Sequence, residues 1–500
     1  MIIYMQLLCA LVVTAASIYY YLVCNFDFWR KRGVPGPEPR PLFGNLKDVI
    51  LARVCTSQIV KEILKTYKNE PVVGLYSYRS PILILNDPDI IKSALIKDFS
   101  KFANRQRKPN GRTEPMSINI FHLESERWRP LRQKLSPMFT SGKLKGMFNL
   151  MVECSQNLDK YLDQVASKNE VVKIHEVTAN YTMDVIGNCA FGINLDTMSD
   201  KDNEFRKQGK MIFEGSIENV IRLRLRMYLP RLYDLLGFVF PDRKIAPFFT
   251  SIVTETMRYR KENNVYRPDF IHLLMELRDH PEKLDELEFT DQLLTAQAYM
   301  FFAAGHESTS TAMSWALLEL AQNQDIQDKL REEMRQYAKK YNNQITYETM
   351  KEMDYLDKVF RETLRKYPVG SVYTRITTSD YTFETLNFTI PKSTEVWIPI
   401  LMIHRNPVVY PDPTKFDPER FTKEAIAARH PMHYLPFSDG PRNCIGMRFA
   451  VFKWKLGIFK ILLRYKVEIC EQTKLPFEFN PRTFLLAPKD DIYLKMTKVA

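Results

Sequence analysis

The chain has 500 residues, of which 45% are hydrophobic and 26% charged, ordinary usage for a globular protein with a large core. Its 71 Lys and Arg against 59 Asp and Glu give a net charge of +12, which favours an acidic partner or an anionic membrane surface. Nucleic acid is the weakest partner, because no zinc-finger spacing or RNA-binding aromatic motif accompanies the charge. The seven scattered cysteines lack any Cys-x-x-Cys pair, so they indicate neither a disulfide scaffold nor structural zinc and suit a reducing compartment.

Residues 1–26 carry no charged side chain, and Ile2 to Val23 is almost wholly apolar, long enough for the ~20 residues of a membrane-spanning helix. Arg30, Lys31 and Arg32 follow, so the positive-inside rule places the rest of the chain in the cytosol. A cleaved signal peptide is the rival. After Ala15, Ala16 and Ser17, however, the apolar run continues through Ile18 to Leu22, so an uncleaved anchor is expected. Residues 27–45 form a basic and proline-rich hinge, and residues 46–500 form the folded domain. Within the hinge, the four prolines of Gly33 to Asn45 make a stiff spacer. Two β-rich runs in Pro71 to Leu85, parted by Tyr78, Arg79 and Ser80, predict a hairpin. A helix is expected after Asp87-Pro88-Asp89. Few other strands precede Tyr373, so the fold class is mainly α with a small β-sheet.

Arg127 to Gly146 is strongly basic. Trp128 and Arg132 lie four apart and share a helix face, and Pro130 is tolerable there if the helix starts near it. Arg222 to Phe240 mixes basic and large apolar residues, either as a core helix or as an amphipathic segment at a membrane surface. Thr290 to Asn323 is the longest helical pattern, with Thr290 as its cap. It is apolar on most faces and therefore buried, yet it contains Gly305, Glu307, Ser308 and Thr309. A glycine costs a helix ~1 kcal/mol, and a buried carboxylate or hydroxyl is unfavourable unless hydrogen-bonded. Those defects point to function, with a structural kink as the alternative, and His306 is expected to be packed. Tyr355 to Pro368 predicts a helix on which Glu362 and Arg365 can pair, and Arg420 follows in Phe416 to Phe421, FDPERF. Next comes PFSDGPRNCIGMRFA, Pro436 to Ala450. Gly440 and Gly446 allow a tight turn and close approach to a flat ligand. Arg442 is expected to lower the pKa of the Cys444 thiol, and a helix N-terminus just downstream adds to this.

Phe437-x-x-Gly440-x-Arg442-x-Cys444-x-Gly446 resembles the haem-thiolate loop of the cytochromes P-450. The resemblance implies the fold of that family and haem b (iron protoporphyrin IX), with Cys444 as the axial iron ligand. Phe437, Gly440, Arg442 and Gly446 would lie at the cofactor. It implies that Trp128, Arg132 and Arg375 hold the haem propionates and that Glu362, Arg365 and Arg420 form a buried triad. Ala304 to Thr309 resembles the oxygen-activating helix. Glu307 and Ser308 would relay protons, with Ser308 standing where the family usually has threonine and Thr309 ~100° around the helix. Phe121, Phe301, Phe302, Ser371, Val372 and Thr483 to Leu486 match pocket-lining positions. Arg129, Lys134, Lys143 and Lys145 are candidates for docking an acidic electron donor.

In texture the hinge and loop are most similar to insect microsomal members that oxidise plant compounds, insecticides and endogenous lipids or hormones. The implied activity is insertion of one atom of O2 into a lipophilic substrate. Electrons would come from NADPH–cytochrome P-450 reductase, with cytochrome b5 as a second candidate donor, on the cytosolic face of the endoplasmic reticulum membrane. A haem-thiolate isomerase or dehydratase, and a non-catalytic protein that binds haem and lipophiles, stay open at this point.

Overall fold

The computed structural model describes residues 1–105, 109–168, 170–213, 216–239, 244–267, 269–279 and 290–499. Ile2–Val23 forms one helix with none of its side chains buried. At 1.5 Å per residue it is about 33 Å long, the thickness of a bilayer core, and its length and composition suit a membrane span.

The hinge that follows is not a free spacer. The Trp29 indole donates to the Leu75 carbonyl at 2.9 Å, and Asn45 accepts from the Tyr76 amide at 2.8 Å. Gly36 lies so close to the Gly74 carbonyl that a Cβ would sit 2.0 Å from it. The glycine at 74 is needed in turn, because a Cβ there would meet the Trp29 ring at 2.4 Å. The proline-rich run is therefore stapled to the edge of a sheet, and Trp29 and Val34 belong to the core beneath it.

That sheet begins with the expected hairpin. Strand β1 (Val72–Ser77) pairs antiparallel with β2 (Ser80–Leu85), Val72 opposite Leu85. Among the described residues the other strands are short: β3 (Val171–Lys173), β4 (Tyr373–Ile376), β5 (Tyr381–Phe383), β6 (Phe388–Ile390), β7 (Glu395–Ile398), β8 (Tyr465–Ile469) and β9 (Tyr493–Lys498). They form three small sheets, in the orders β1-β2-β7-β4, β3-β9-β8 and β5-β6. The rest of the body is helical.

Four helices position the site. The tryptophan helix, Ser125–Leu135, contains Pro130 in its interior rather than at its start. Its first turn is fixed earlier by Asn104, whose Oδ1 accepts the Ser125 amide at 2.8 Å. Proline then removes one interior hydrogen bond without ending the helix. The histidine helix, Ile174–Ile186, packs along the central helix, Asp291–Gln322. Thr290 caps the central helix by accepting from the Leu293 amide at 3.2 Å. The exit helix, Met447–Arg464, leaves the cysteine loop and crosses both. Gly305 has a packing reason, since a Cβ there would meet Ile186 Cδ1 at 2.5 Å. Its carbonyl accepts from the buried Lys453 of the exit helix. With little else around it, that ammonium has its pKa pulled down by burial to about 7.

The basic and apolar segment from Arg222 resolves into surface helices rather than a core helix. Ile217–Tyr228 and Pro230–Val239 expose Ile217, Ile221, Met227, Leu232 and Leu235. Phe240, the end of the predicted segment, lies outside the described residues.

Candidate active site

The cysteine loop closes through a hydrogen bond from the Cys444 amide to the Phe437 carbonyl at 2.9 Å. Only glycine fits at 440: its φ is +72° and a Cβ would sit 1.9 Å from the Leu95 carbonyl oxygen. Phe437 stacks on Phe360 with centroids 6.3 Å apart. Gly446, the residue before the exit helix, is open on its Cα face, with the nearest foreign atom 3.9 Å away. Surrounding protein pushes the Cys444 pKa up, while the Gly446 amide and the charges of Arg105 and Arg132 pull it down; the net direction is up. The expectation that Arg442 supplies the neighbouring charge is overturned. Its guanidinium turns away to donate to the carbonyls of Leu123, at 2.6 Å, and Phe121, at 3.4 Å. Its Cζ lies 4.4 Å over the Trp128 ring.

Arg105, Arg132, Arg375 and Arg442 lie within electrostatic reach of one another, and the environment lowers the pKa of all four. Burial is the main cause. Mutual repulsion adds to it, bringing Arg105 to about 10, Arg375 to about 9 and Arg442 to about 8. A guanidinium does not lose its proton inside a protein, so these shifts measure unmet demand for negative charge. The protein donates what it can: Arg132 to Asn443 Oδ1 at 2.8 Å, and Arg375 to Ser438 Oγ at 3.1 Å. The buried Nε atoms of Arg375 and Arg442 find no acceptor. The Trp128 indole is buried against Phe99, with ring centroids 5.8 Å apart.

A flat ligand with an iron for the sulfur and carboxylates for the guanidinium groups fits this donor set. Cys444 is exposed on its loop, and Ala304 is exposed on a central helix that is otherwise largely buried, so each presents a face to such a ligand. Arg105 escaped the sequence reading, because nothing in its polar, basic surroundings distinguishes it from neighbouring arginines.

On the central helix, Glu307 Oε1 lies 3.1 Å from His175 Nε2. Burial would raise the Glu307 pKa, but the charge and hydrogen bond of His175 outweigh it and the net direction is down. Ser308 Oγ donates back to the Ala304 carbonyl at 2.6 Å. Thr309 points elsewhere, its hydroxyl buried without a partner. His306 is packed as expected. It stacks on Phe302 at 5.8 Å and faces Thr182 Oγ1 at 3.2 Å, and burial holds its pKa at about 4. Among the described residues no cluster of His, Cys, Asp and Glu could hold a metal.

Behind the loop, Arg365 and Glu362 are wholly buried and joined by two bonds, Nε to Oε2 at 2.6 Å and Nη2 to Oε1 at 2.8 Å. Arg365 also donates to the carbonyls of His404, Pro413 and Lys415, and Glu362 accepts the Asp417 amide at 2.9 Å. Arg420 stands further off, its Nε 3.7 Å from Glu362 Oε1.

Two pocket expectations change. Phe302 does not line open space; it is fully buried among Phe191, Phe205 and Phe249. Phe301 is stacked on Phe270 at 4.6 Å, whereas Phe121 and Phe484 are exposed. Arg129, Lys143 and Lys145 are exposed, Lys145 in a surface pair with Glu348 at 2.6 Å, and Lys134 is half-buried.

The family model described as Cytochrome P450 matches residues 34–496. The chain is 39% identical to Cytochrome P450 6B1 of Papilio polyxenes, over 99% of this chain and 100% of that one. It is 36% identical to Cytochrome P450 6A1 of Musca domestica, over 99% and 98% of the two chains. It is 39% identical to the Probable cytochrome P450 6a23 of Drosophila melanogaster, over 99% and 100%.

Proposed function

This chain belongs to the cytochrome P450 family of haem-thiolate monooxygenases, and from that premise we propose that it oxidises lipophilic plant compounds, insecticides or endogenous lipids and hormones. The family takes O2, a lipophilic substrate and electrons from a redox partner. The observation that carries the site assignment is the buried arginine cluster beside Cys444, four like charges among which, in the described residues, Arg442 alone feels a carboxylate, that of Glu124.

Bound haem supplies the activation of dioxygen and the transfer of one oxygen atom to carbon. Cys444 Sγ would hold the iron as thiolate, which a bound metal favours against the upward pull of burial. The Gly446 amide, Arg105 and Arg132 stabilise its negative charge. Arg105, Arg132, Arg375, Arg442 and the Trp128 indole would hold the propionates, the forked guanidinium matching a carboxylate's two oxygens. Glu307 would take up a proton and release it towards the open face at Ala304 by way of the Ser308 hydroxyl. Glu362, Arg365 and Arg420 fix the 413–417 segment that leads towards the loop.

Ile2–Val23 anchors the chain in the endoplasmic reticulum membrane with the domain in the cytosol. The exposed apolar residues of Ile217–Tyr228 and Pro230–Val239 rest on the same surface. NADPH–cytochrome P450 reductase, with cytochrome b5 as second donor, docks through Arg129, Lys134, Lys143 and Lys145 in an interaction that salt weakens.

The test is product formation from a panel of lipophiles with reductase, NADPH and 18O2. One labelled oxygen per product molecule is expected. Turnover without NADPH would instead support the isomerase or dehydratase reading, and binding without NADPH consumption the sequestering one. Serine at 308 keeps the hydroxyl but lacks the methyl that restrains a threonine rotamer. Ser308→Thr should therefore raise product formed per NADPH by about twofold; equal or lower coupling counts against the relay assignment.

A further inference from the structure

His175 lies near the start of the histidine helix and pairs with Glu307, its side chain 33% exposed against 12% for the glutamate. The pair thus connects the protein surface to the interior of the central helix. Its geometry is set by packed helices rather than loops. Thr178 Oγ1 donates to the Ser310 carbonyl at 3.2 Å, and Thr182 Oγ1 to the His306 carbonyl at 3.1 Å. The groups facing His175 are Glu307 from the central helix, Lys173 of β3, and Asp491 just before β9. Lys173 and Asp491 pair with each other at 2.6 Å, which leaves Glu307 as the partner of the imidazole. Behind the glutamate, His306 Nε2 stands 3.7 Å from Oε2. Burial holds its pKa at about 4 and pulls that of Lys453 down to about 7.

We propose that His175 is a positioning residue that supplies protons to Glu307 from solvent. The imidazolium gives its Nε2 proton to Glu307 Oε1, forming a neutral imidazole and a carboxylic acid. A proton from bulk water then restores the imidazolium, and the carboxylic acid releases its proton towards Ser308. One proton enters and one leaves in each cycle, and no electrons move. This rests on the reading of the chain as a monooxygenase whose protons pass through Glu307. Burial alone would lower the His175 pKa, but Glu307 raises it above the ordinary value, and His175 in turn lowers that of Glu307; the transfer to the carboxylate is therefore uphill, and onward release towards Ser308 with refilling from solvent draws it forward. The supply is complete below the raised pKa and is lost as pH rises through it.

The test uses the full-length haem-loaded protein with reductase in phospholipid vesicles, measuring product per NADPH from about pH 6 to about pH 9. In the unsubstituted chain this ratio should fall with rising pH. His175→Gln keeps a hydrogen-bond donor but carries no titrating proton. It should lower the ratio by about fivefold at the acid end and flatten the profile, with the missing electrons appearing as hydrogen peroxide. His175→Lys should move the fall to higher pH. A second readout needs no turnover. Histidine labelled at Cε1 should give one resonance, absent from His175→Gln, that titrates above the usual range and drops by about one pH unit in Glu307→Gln. A wild-type pH profile in His175→Gln with a normal carbon monoxide spectrum, or a His175 titration indifferent to Glu307→Gln, overturns the proposal. If the unsubstituted chain lacks a haem-thiolate spectrum, the site assignment has failed instead, and the titration still decides the pair. Should His175→Gln not fold, His175→Lys and the titration of the unsubstituted chain decide it.

Discussion

Cys444→Ser should reduce NADPH-dependent oxygen insertion by at least about a hundredfold while leaving the fold intact. Cys444 as a thiolate would supply the haem it holds with the electron density that oxygen activation needs; a serine hydroxyl at neutral pH is protonated and would supply no comparable push. Replacing sulfur with oxygen changes side-chain volume little, and the Gly446 backbone hydrogen bond that acts on the thiol remains. Thermal unfolding should therefore shift by less than about 1 kcal/mol equivalent, which separates a lost ligand from a lost fold. No other cysteine is placed to substitute. Burial pushes the thiols of Cys55 and Cys154 up, to about 11 and about 12, and that of Cys189 up as well; Cys470 Sγ donates to the Tyr493 carbonyl at 3.3 Å, and Cys9 and Cys24 belong to the anchor helix and its end. Product formation at the parental rate in Cys444→Ser would move the iron ligand elsewhere.

Arg365→Ala should cost about 3–5 kcal/mol, the range for breaking a fully buried ion pair from one side. Domains have about 5–15 kcal/mol in total, so the variant should express poorly or unfold at markedly lower denaturant. The reason is local. Glu362 and Arg365 have no exposed surface, and burial already raises the Glu362 pKa against the pull of Arg365. Without the guanidinium that carboxylate is stranded, and the carbonyls of His404, Pro413 and Lys415 lose their donor. Arg365→Lys cannot rescue the site, since one ammonium cannot span two carboxylate oxygens and three carbonyls. Chemical denaturation of Glu362→Gln, Arg365→Met and the double variant checks this. The double should be less destabilised than the sum of the singles, and a loss below about 1 kcal/mol in Arg365→Ala would contradict it.

What was legible in the sequence was short-range. The Val72–Leu85 hairpin, the capped central helix and the tight turn at Gly440 depend on residues within a few positions of one another. So does the Glu362–Arg365 pairing, one helical turn apart. What was missed depends on elements that meet only in the folded chain. Arg105 acts on Cys444 across more than 300 positions, and His175 reaches Glu307 from another helix. Arg442 was misassigned for the same reason: adjacency to Cys444 in sequence suggested a neighbouring charge, but the carbonyls of Phe121 and Leu123 draw the guanidinium away. Trp29 makes the hinge part of the core, which proline content alone could not show. Pro130 sits inside a helix because Asn104, remote in sequence, starts that helix early. Phe302 fits a pocket pattern, yet its ring is claimed by three other phenylalanines.

The central claim is that Cys444 sulfur holds a haem iron. Its most direct test is the carbon monoxide difference spectrum of the reduced protein, recorded for the unsubstituted chain and for Cys444→Ala. Thiolate ligation at Cys444 predicts the red-shifted band in the first and its complete absence from the second. A band of unchanged position and intensity in Cys444→Ala contradicts the claim.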